Sequence, residues 1–234
     1  VSWSGSVDDL SGLLGAFDVW VKDGTGTWTL WLDSVYITDT IFTGVEGHTY
    51  YFEALAYDKA GNIEKRTGIP ECSTTVDTTP PNAPTLISPD SASWTNKINS
   101  LDFYWHSVND SSGVDKYFIQ ISEDGFVTFL VDDSTNDTQY TAGTLVEGIL
   151  EWRVWARDNV GNVGDTSVVW RVGIDTTPPD APDSLTANGD TFKTKWTNDS
   201  MFIVDWKDIS DASGVAFAWY KLGTRPTSNN DTAG

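Results

Sequence analysis

Two stretches of this chain, FEALAYDKAGN at 52–62 and WRVWARDNVGN at 152–162, follow one pattern. Each begins with a run in which every second residue is apolar, as in a strand with one buried face. Each then ends in the turn sequence Asp-x-x-Gly-Asn. Asp58 and Asp158 correspond, so the same strand and turn recur about 100 residues apart. A repeat of this length, built on alternating strands, is typical of a two-sheet β-sandwich.

The segment between the repeats is also written twice, as DTTPPNAP at 77–84 and as DTTPPDAP at 175–182. Two consecutive prolines fix the backbone angle φ, remove two hydrogen-bond donors and keep the preceding residue extended. These segments are therefore predicted to be stiff linkers, unlike a Gly-Ser linker. The alternative is that they only end the last strand of each sandwich.

A family resemblance rests on these motifs. The strand beginning at Tyr50, its counterpart ending at Asn162 and the duplicated proline linker together resemble fibronectin type III and Ig-like repeats of prokaryotic surface and secreted proteins. The resemblance covers the whole chain and implies an all-β fold of tandem sandwiches. It does not imply one function, because unrelated proteins use such modules. It also places a corner tyrosine at Tyr50, where the second repeat has Leu150.

The alignment of the repeats predicts one complete sandwich and two partial ones. We expect residues 1–76 to form a partial sandwich without strand A and residues 77–174 to form a complete one. Residues 175–234 are expected to supply strands A to C of a third. The predicted strands of the second repeat include 101–105, 127–131 and 167–174. The inward tryptophans are predicted to be Trp3, Trp105, Trp152 and Trp206, with Trp94 and Trp196 packed as plugs in the turn before strand B.

Composition excludes several classes of function. The 234 residues include 34 acids and 14 bases, for a formal net charge of −20. Such a surface repels phosphate backbones and anionic lipid, so nucleic-acid binding is not expected. No apolar run approaches the roughly 18 residues of a membrane helix, so direct membrane insertion is not expected either. Cys72 is the single cysteine and cannot form an internal disulfide.

Acidic loops are predicted to meet at the first linker. In this sandwich topology the start of strand A and the loops after strands B and F lie at one end. A Ca²⁺ ion takes six to eight oxygen ligands. The sequence therefore predicts a calcium site formed by Asp77, Asp110, Asp158 and Asn162, and a related cluster of Asp175, Asp208 and Asp211. The alternative is that Asp-x-x-Gly-Asn only forms a turn with its own backbone.

Alternation also leaves apolar side chains on the outward faces of the neighbouring strands C and F. A contiguous outward apolar patch usually marks a contact surface. The predicted contact surface consists of Trp20, Leu55, Tyr57, Phe118, Trp155 and Trp219. Its expected partners are other copies of the chain or other cell-envelope proteins, with polysaccharide as an alternative. In a further alternative, these rings are covered by the long stems of Lys22, Glu53, Arg153 and Arg157.

Neither catalysis nor glycosylation has a decisive motif. The two histidines, His48 and His106, lie at non-matching positions of the repeats, and the sequence contains no nucleophile–base motif, so we expect no enzyme activity. Four Asn-x-Ser/Thr sequences lie in predicted loops and are candidate glycosylation sites only in an exported protein. They begin at Asn109, Asn136, Asn198 and Asn230.

These observations favour an extracellular structural or adhesive module. The first expectation is a rigid tandem-repeat segment of a surface stalk, surface layer, adhesin or filament at the cell surface. One alternative is an accessory, non-catalytic region of a secreted multimodular enzyme, such as a polysaccharide hydrolase or protease. Another is a carbohydrate-binding module. Apart from Ca²⁺, no cofactor is expected.

Overall fold

The computed structural model of the protein describes residues 1–4, 9–182, 184–187, 204–207 and 209–218. Within those residues the regular elements are fourteen β-strands, which confirms the predicted all-β class. The chain forms two compact units. The first contains Val1–Asn82, Val108–Asp115 and Ala156–Asp165. The second contains Ala83–Ser107, Lys116–Trp155 and the described residues from Thr166 onward.

The first unit is built on a four-stranded antiparallel sheet. Its strands, in the order β2-β1-β3-β4, are β1 Leu13–Asp23, β2 Thr29–Val35, β3 Thr49–Asp58 and β4 Cys72–Thr75. The register between β1 and β3 pairs Phe17 with Ala56 and Val19 with Ala54. This register brings the inward apolar positions of the two strands side by side, as their alternation predicts.

The core of this unit forms around a small aromatic cluster. Trp3 and Phe17 pack edge to face, with ring centroids 6.4 Å apart, and Val19 and Ala56 complete the buried group. The hydroxyl of Tyr50 accepts a hydrogen bond from the backbone N–H of Val45 at 3.1 Å. The corner position suggested by the resemblance is therefore occupied by a tyrosine that ties the incoming loop to β3.

Two sheets follow in the next repeat. The smaller has the order β10-β7-β5 and the larger the order β6-β12-β11-β8-β9, with β6 parallel to β12. Their strands are β5 Leu86–Ser88, β6 Ser93–Thr95, β7 Asn99–Trp105, β8 Val114–Ser122, β9 Val131–Thr135, β10 Gln139–Thr144, β11 Gly148–Asp158 and β12 Trp170–Ile174.

Buried aromatic pairs join these two sheets. The ring of Phe103 on β7 lies 5.0 Å from that of Trp152 on β11, and Trp105 lies 5.8 Å from Tyr117 on β8. All four side chains are buried. Leu150, fully buried at the position equivalent to Tyr50, adds an apolar side chain to this core. Sandwich packing of this kind follows from alternating inward residues on both sheets.

Two predicted strands differ from the observed ones. The edge strand β9 begins at Val131 and not at Val127, because the N–H groups of Val127 and Thr128 donate to the carboxylate of Asp124 and hold that segment as a loop. Strand β12 begins at Trp170 because the hydroxyl of Ser167, in place of a backbone carbonyl, accepts the N–H of Val154 on β11 and donates to the carbonyl of Val168.

The last described strands, β13 Ser184–Ala187 and β14 Val204–Lys207, form a two-stranded antiparallel ribbon. Trp206 on this ribbon is 39% exposed, so its predicted inward position was wrong for the described residues. Among the described residues of this repeat, no second sheet packs against the ribbon to bury the tryptophan.

Candidate functional site

The first linker is tied to the loops of unit one through Asp77. One carboxylate oxygen accepts the N–H of Thr79 at 3.1 Å, and the other accepts the N–H of Ser112 at 3.0 Å. Ser112 also donates its N–H and its hydroxyl to Asp110, at 2.9 and 2.8 Å. Asp77 therefore connects the linker backbone to the acidic loop that contains Asp110.

The Asp-x-x-Gly-Asn turn supplies the second contact with this linker. Asp158 is 1% exposed, and its Oδ1 accepts the N–H groups of Val160, Gly161 and Asn162. The side-chain amide of Asn162 donates to the other oxygen of Asp158 at 2.7 Å and to the backbone carbonyl of Asp77 at 3.1 Å. The turn thus closes on itself and also holds the linker.

The equivalent turn of the first repeat has the same internal geometry. Asp58 accepts the backbone N–H of Asn62 at 2.7 Å and its side-chain amide at 2.6 Å. Gly61 and Gly161 have φ angles of 89° and 103°, in the region that only glycine adopts readily. The turn interpretation therefore describes the hydrogen bonding in both repeats.

These carboxylates are arranged to stay charged. Burial alone would raise the pKa of Asp158, but hydrogen bonds from Asn162, Gly161 and Val160 outweigh it and hold the pKa below its usual value. The hydrogen bond from Ser112 likewise lowers the pKa of Asp77. Both groups are therefore anionic at neutral pH.

The three acids of the predicted calcium site do come together. One oxygen from each of Asp77, Asp110 and Asp158 lies within 4.8 Å of the other two. Oxygens bound at the usual calcium distance of about 2.3–2.6 Å lie up to about 5 Å apart, so the spacing fits the ion. Asn162, however, directs its donor nitrogen toward two of these residues. Three carboxylates supply only part of a calcium shell, and the calcium site stays a prediction.

A glutamate holds the linker at its next residue. The carboxylate of Glu46 accepts the N–H and the hydroxyl of Thr78, and these bonds lower its pKa. Further along, a Cβ atom added to Gly164 would lie 2.2 Å from the carbonyl oxygen of Pro81. Only glycine lets the turn approach the prolines this closely. Neither contact was predicted: the stretch Val-Glu-Gly does recur at 45–47 and 146–148, but its repetition does not identify Glu46 as an acceptor, and Gly164 has Glu64 at the equivalent position of the first repeat.

The second linker repeats the same contacts inside unit two. Asp175 accepts the N–H of Thr177 at 2.9 Å and that of Ser213 at 3.1 Å, while Ser213 also donates to Asp211. Glu147 accepts the N–H of Thr176 at 3.0 Å and its hydroxyl. The predicted participant Asp208 lies outside the described residues. We call each set of contacts a linker grip: Glu46, Asp77 and Ser112 in the first, and Glu147, Asp175 and Ser213 in the second.

The predicted contact surface is only partly formed in the first repeat. Leu55 is 6% exposed, so its predicted outward exposure was wrong. Two residues before it, Glu53 accepts hydrogen bonds from Thr67 and Gly68, and these bonds bring the connection between β3 and β4 over this face of the sheet. The guanidinium of Arg66 in that connection lies 4.2 Å from the ring centroid of Trp20.

Tyr57 and the second-repeat aromatics have specific partners. The hydroxyl of Tyr57 donates to Asp18 at 3.0 Å. Phe118 and Trp155 are half-buried and stack on each other, with ring centroids 5.4 Å apart and planes 9° apart. Trp219 lies outside the described residues. The contact surface itself stays a prediction.

Other predicted residues have simple surroundings. His48 lies 2.8 Å from the carboxylate of Asp23, with both side chains about half exposed. Asn109 and Asn136 are exposed in loops, while Asn198 and Asn230 lie outside the described residues, and glycosylation stays a prediction.

Trp94 was expected to be a packing plug, but its side chain is 41% exposed. In the described part of the chain, no helix is long and apolar enough to span a bilayer.

Comparison with known proteins gives one curated relative. The chain is 27% identical over 243 aligned residues to Exoglucanase B of Cellulomonas fimi. The alignment covers 95% of this chain and 19% of that protein, so the chain spans about a fifth of the relative's length. No family model matches the chain.

Three solved structures align with most of this chain at low sequence identity. Fibronectin(III)-like modules of Clostridium thermocellum CbhA align over 72% of this chain and 82% of theirs, with 16% identity and a TM-score of 0.40. Titin domains A168–A170 cover 68% of this chain and 55% of theirs, with 15% identity and a TM-score of 0.39. A two-domain chicken tenascin segment covers 74% and 87%, with 13% identity and a TM-score of 0.34.

Proposed function

We propose that this chain is an accessory, non-catalytic region of a secreted multimodular enzyme that degrades polysaccharide, and that it acts outside the cell as a spacer with stiff linkers. The observation that carries this proposal is the alignment with Exoglucanase B, which takes in nearly all of this chain but only 19% of that protein. A relationship of this extent favours the enzyme-accessory alternative over the first expectation of a surface structure.

The spacer role is supported by the linker grips. Each proline linker is already restricted in φ, and each is also held by an aspartate and a glutamate through hydrogen bonds to its threonines. Ordering of this kind removes conformations that a Gly-Ser linker would keep. The same set of bonds recurs at both linkers, which is what a spacer of set length requires.

The non-catalytic assignment is supported by the chemistry of the acidic residues. The carboxylates at the linkers accept backbone N–H groups, and these bonds lower the pKa of Asp77, Asp158 and Asp175. A general acid for glycoside hydrolysis needs a raised pKa instead. These acids therefore suit structural hydrogen bonding better than proton transfer to a substrate.

A structural or adhesive module of a surface protein is the second candidate. The recurrence of both linker grips favours it as well, because a stalk or lattice also needs fixed spacing. Its partners would be other copies of the chain or cell-envelope proteins. The full reading frame separates the candidates: a catalytic domain beside this region supports the accessory role, and a cell-wall or surface-layer anchor without one supports the second candidate.

The spacer role is tested by distance measurement across the first linker. Cys72 is first changed to serine, and spin labels are then placed at the exposed positions Thr25 and Asn136. We expect a narrow distance distribution that broadens when Pro80 and Pro81 are both changed to glycine. A matched control places two glycines in an exposed loop, at Tyr36 and Ile37, which lie outside the linker. A broad distribution in the unaltered linker would contradict the stiff-spacer proposal.

A further inference from the structure

A pocket of about 400 Å³ lies within the second unit, beside the second linker grip. Apolar side chains and carboxylates share its lining, among them Trp94, Ile174 and Pro178 with Glu147, Asp180 and Asp211. Its volume lies within the usual range of about 300–1,000 Å³ for small-molecule sites. Neither the turn nor the linker prediction assigned it a role.

The indole of Trp94 lines this pocket and packs against the backbone of Gly173. Trp94 stands on β6, directly opposite Gly173 of β12 in the parallel register. A Cβ atom at Gly173 would lie 2.3 Å from Cε3 and 2.4 Å from Cδ2 of the indole, so only glycine leaves room for the ring. The indole thus rests on the backbone, while 41% of the residue stays exposed.

The turn before Trp94 keeps it in this position. Ala92 has a φ of 69°, an uncommon conformation for a residue with a side chain, and its N–H donates to the carbonyl of Arg171 at 2.9 Å. Ser93 donates its N–H and its hydroxyl to the carbonyl of Asp90, at 3.1 and 2.6 Å. An aromatic side chain held this way needs little reordering to receive a ligand.

The charges of the side chains that line the pocket restrict which ligands it can bind. All the ionisable side chains that line the pocket are acids, so anionic sugars and phosphates are repelled. A neutral sugar ring can place its C–H face on the indole, as apolar groups do on aromatic rings, and can donate hydroxyl hydrogen bonds to carboxylates. Asp180 and Glu147 lie in the lining where such hydroxyls can be accepted.

We propose that this pocket binds a neutral sugar unit of a polysaccharide chain, stacked on the exposed face of Trp94. The choice of a sugar over a cationic side chain rests on the proposed function, since a lysine or arginine would also suit an aromatic ring among acids. The binding of the sugar is non-covalent, and no bond in it is broken.

Calorimetry with cellohexaose and with xylohexaose on the whole chain tests this site. We expect measurable binding of at least one, weakened at least tenfold by Trp94→Ala, because truncating a central aromatic usually costs a large share of the binding free energy. Gly173→Ala should also weaken binding, since the added methyl displaces the ring without touching the sugar. Tyr36→Ala, which alters an exposed aromatic of the first unit that does not line this pocket, is the matched control and should bind normally.

Thermal melting of each variant shows that it is folded, and intrinsic fluorescence gives a second readout, because sugar stacking should shift tryptophan emission in the parent and not in Trp94→Ala. Binding of hexalysine without binding of either sugar would overturn the proposal, as would equal losses in Trp94→Ala and Tyr36→Ala. If no sugar binds but the spin-label experiment gives a narrow distance distribution, the sugar site is rejected and the spacer proposal stands. If sugar binds but the spin-label distance distribution is broad, only the spacer proposal is rejected.

Discussion

Asp124 shows how a single side chain can organise a loop. Its carboxylate accepts the hydroxyl and N–H of Thr128, the hydroxyl of Ser122 and the N–H of Val127. These donors, with the Thr128 hydroxyl foremost, lower the pKa of Asp124 to about 2. The loop they close delays the start of β9, which is why the alternation at 127–131 predicted a strand that the chain does not form.

This loop should respond to acid in a defined range. Because the pKa of Asp124 is lowered on folding, its stabilisation is present above the unfolded value near 4 and is lost as pH falls toward 2. We expect an NMR titration of the side-chain carboxyl to give a pKa of about 2, and Thr128→Val to raise it. Asp137→Asn, which removes one charge elsewhere, serves as control. An Asp124 pKa near 4 in the parent would contradict the loop geometry.

The exposure of the Trp94 and Leu55 side chains could not be predicted from the sequence. Alternation assigns a side chain to one face of a strand, but exposure depends on what the rest of the chain places over that face. Leu55 is buried on the face of β3 where Thr67 and Gly68 of the following connection bind Glu53, and Trp94 is exposed on β6, the edge strand of its sheet. Period-two alternation within a strand does not indicate either of these surroundings.

At the scale of elements, the connection between β3 and β4 is fastened to its sheet by Glu53. This carboxylate is 2% exposed and accepts bonds from the N–H groups of Thr67 and Gly68, the Thr67 hydroxyl and the guanidinium of Arg66. Burial alone would raise its pKa, but these donors together hold the pKa below its usual value. Arg66 in turn lies over Trp20.

Removal of this acceptor should loosen the connection. Glu53→Gln presents an N–H₂ group to at least one donor, so we expect the free energy of unfolding to fall by about 1–3 kcal/mol, the usual cost of a buried polar group left unsatisfied. Chemical denaturation measures it. Lys65→Ala, an exposed change in the same connection, should have little effect. Equal stability of Glu53→Gln and the parent would show that the carboxylate does not fasten this segment.

The strands themselves were largely predictable. Period-two alternation placed β3, β7 and β11 and their inward residues, because each has one face against a core. The turn after β11 followed from Asp158 and Asn162, whose side chains bond to their own backbone. The grips by Glu46 and Glu147 were not predictable, since a glutamate far from the linker in sequence reveals its acceptor role only once the chain has folded.

At the scale of the whole molecule, hydrogen exchange can test whether the linker grips hold the two proline linkers. Asp77→Ala removes the acceptor for the Thr79 N–H and one of the two acceptors for the Ser112 N–H, which also donates to Asp110, so hydrogen exchange should speed up most at Thr79. Asp175→Ala should likewise act most at Thr177, since Ser213 also donates to Asp211. Mass spectrometry of exchange measures each. Unchanged protection at these amides would show that the aspartates do not hold the linkers.

The predicted calcium site has a separate test. Calcium added to chelator-treated protein should release or absorb heat and raise the melting temperature if the ion binds Asp77, Asp110 and Asp158, since a ligand that binds only the folded state stabilises it. Asp110→Asn should weaken the effect. Mg²⁺, which prefers a smaller octahedral shell, is the control. No heat and no shift would leave these acids as turn and linker acceptors only.

The duplicated grip also bears on how such chains change length. Each proline linker carries its own aspartate, and each repeat carries its own serine loop to receive it, so a gene segment copied in register brings both halves of the contact with it. A third or fourth copy would need no newly evolved surface. Unequal recombination within the Asp-Thr-Thr-Pro-Pro codons could therefore lengthen or shorten the protein by whole repeats while leaving every remaining linker secured.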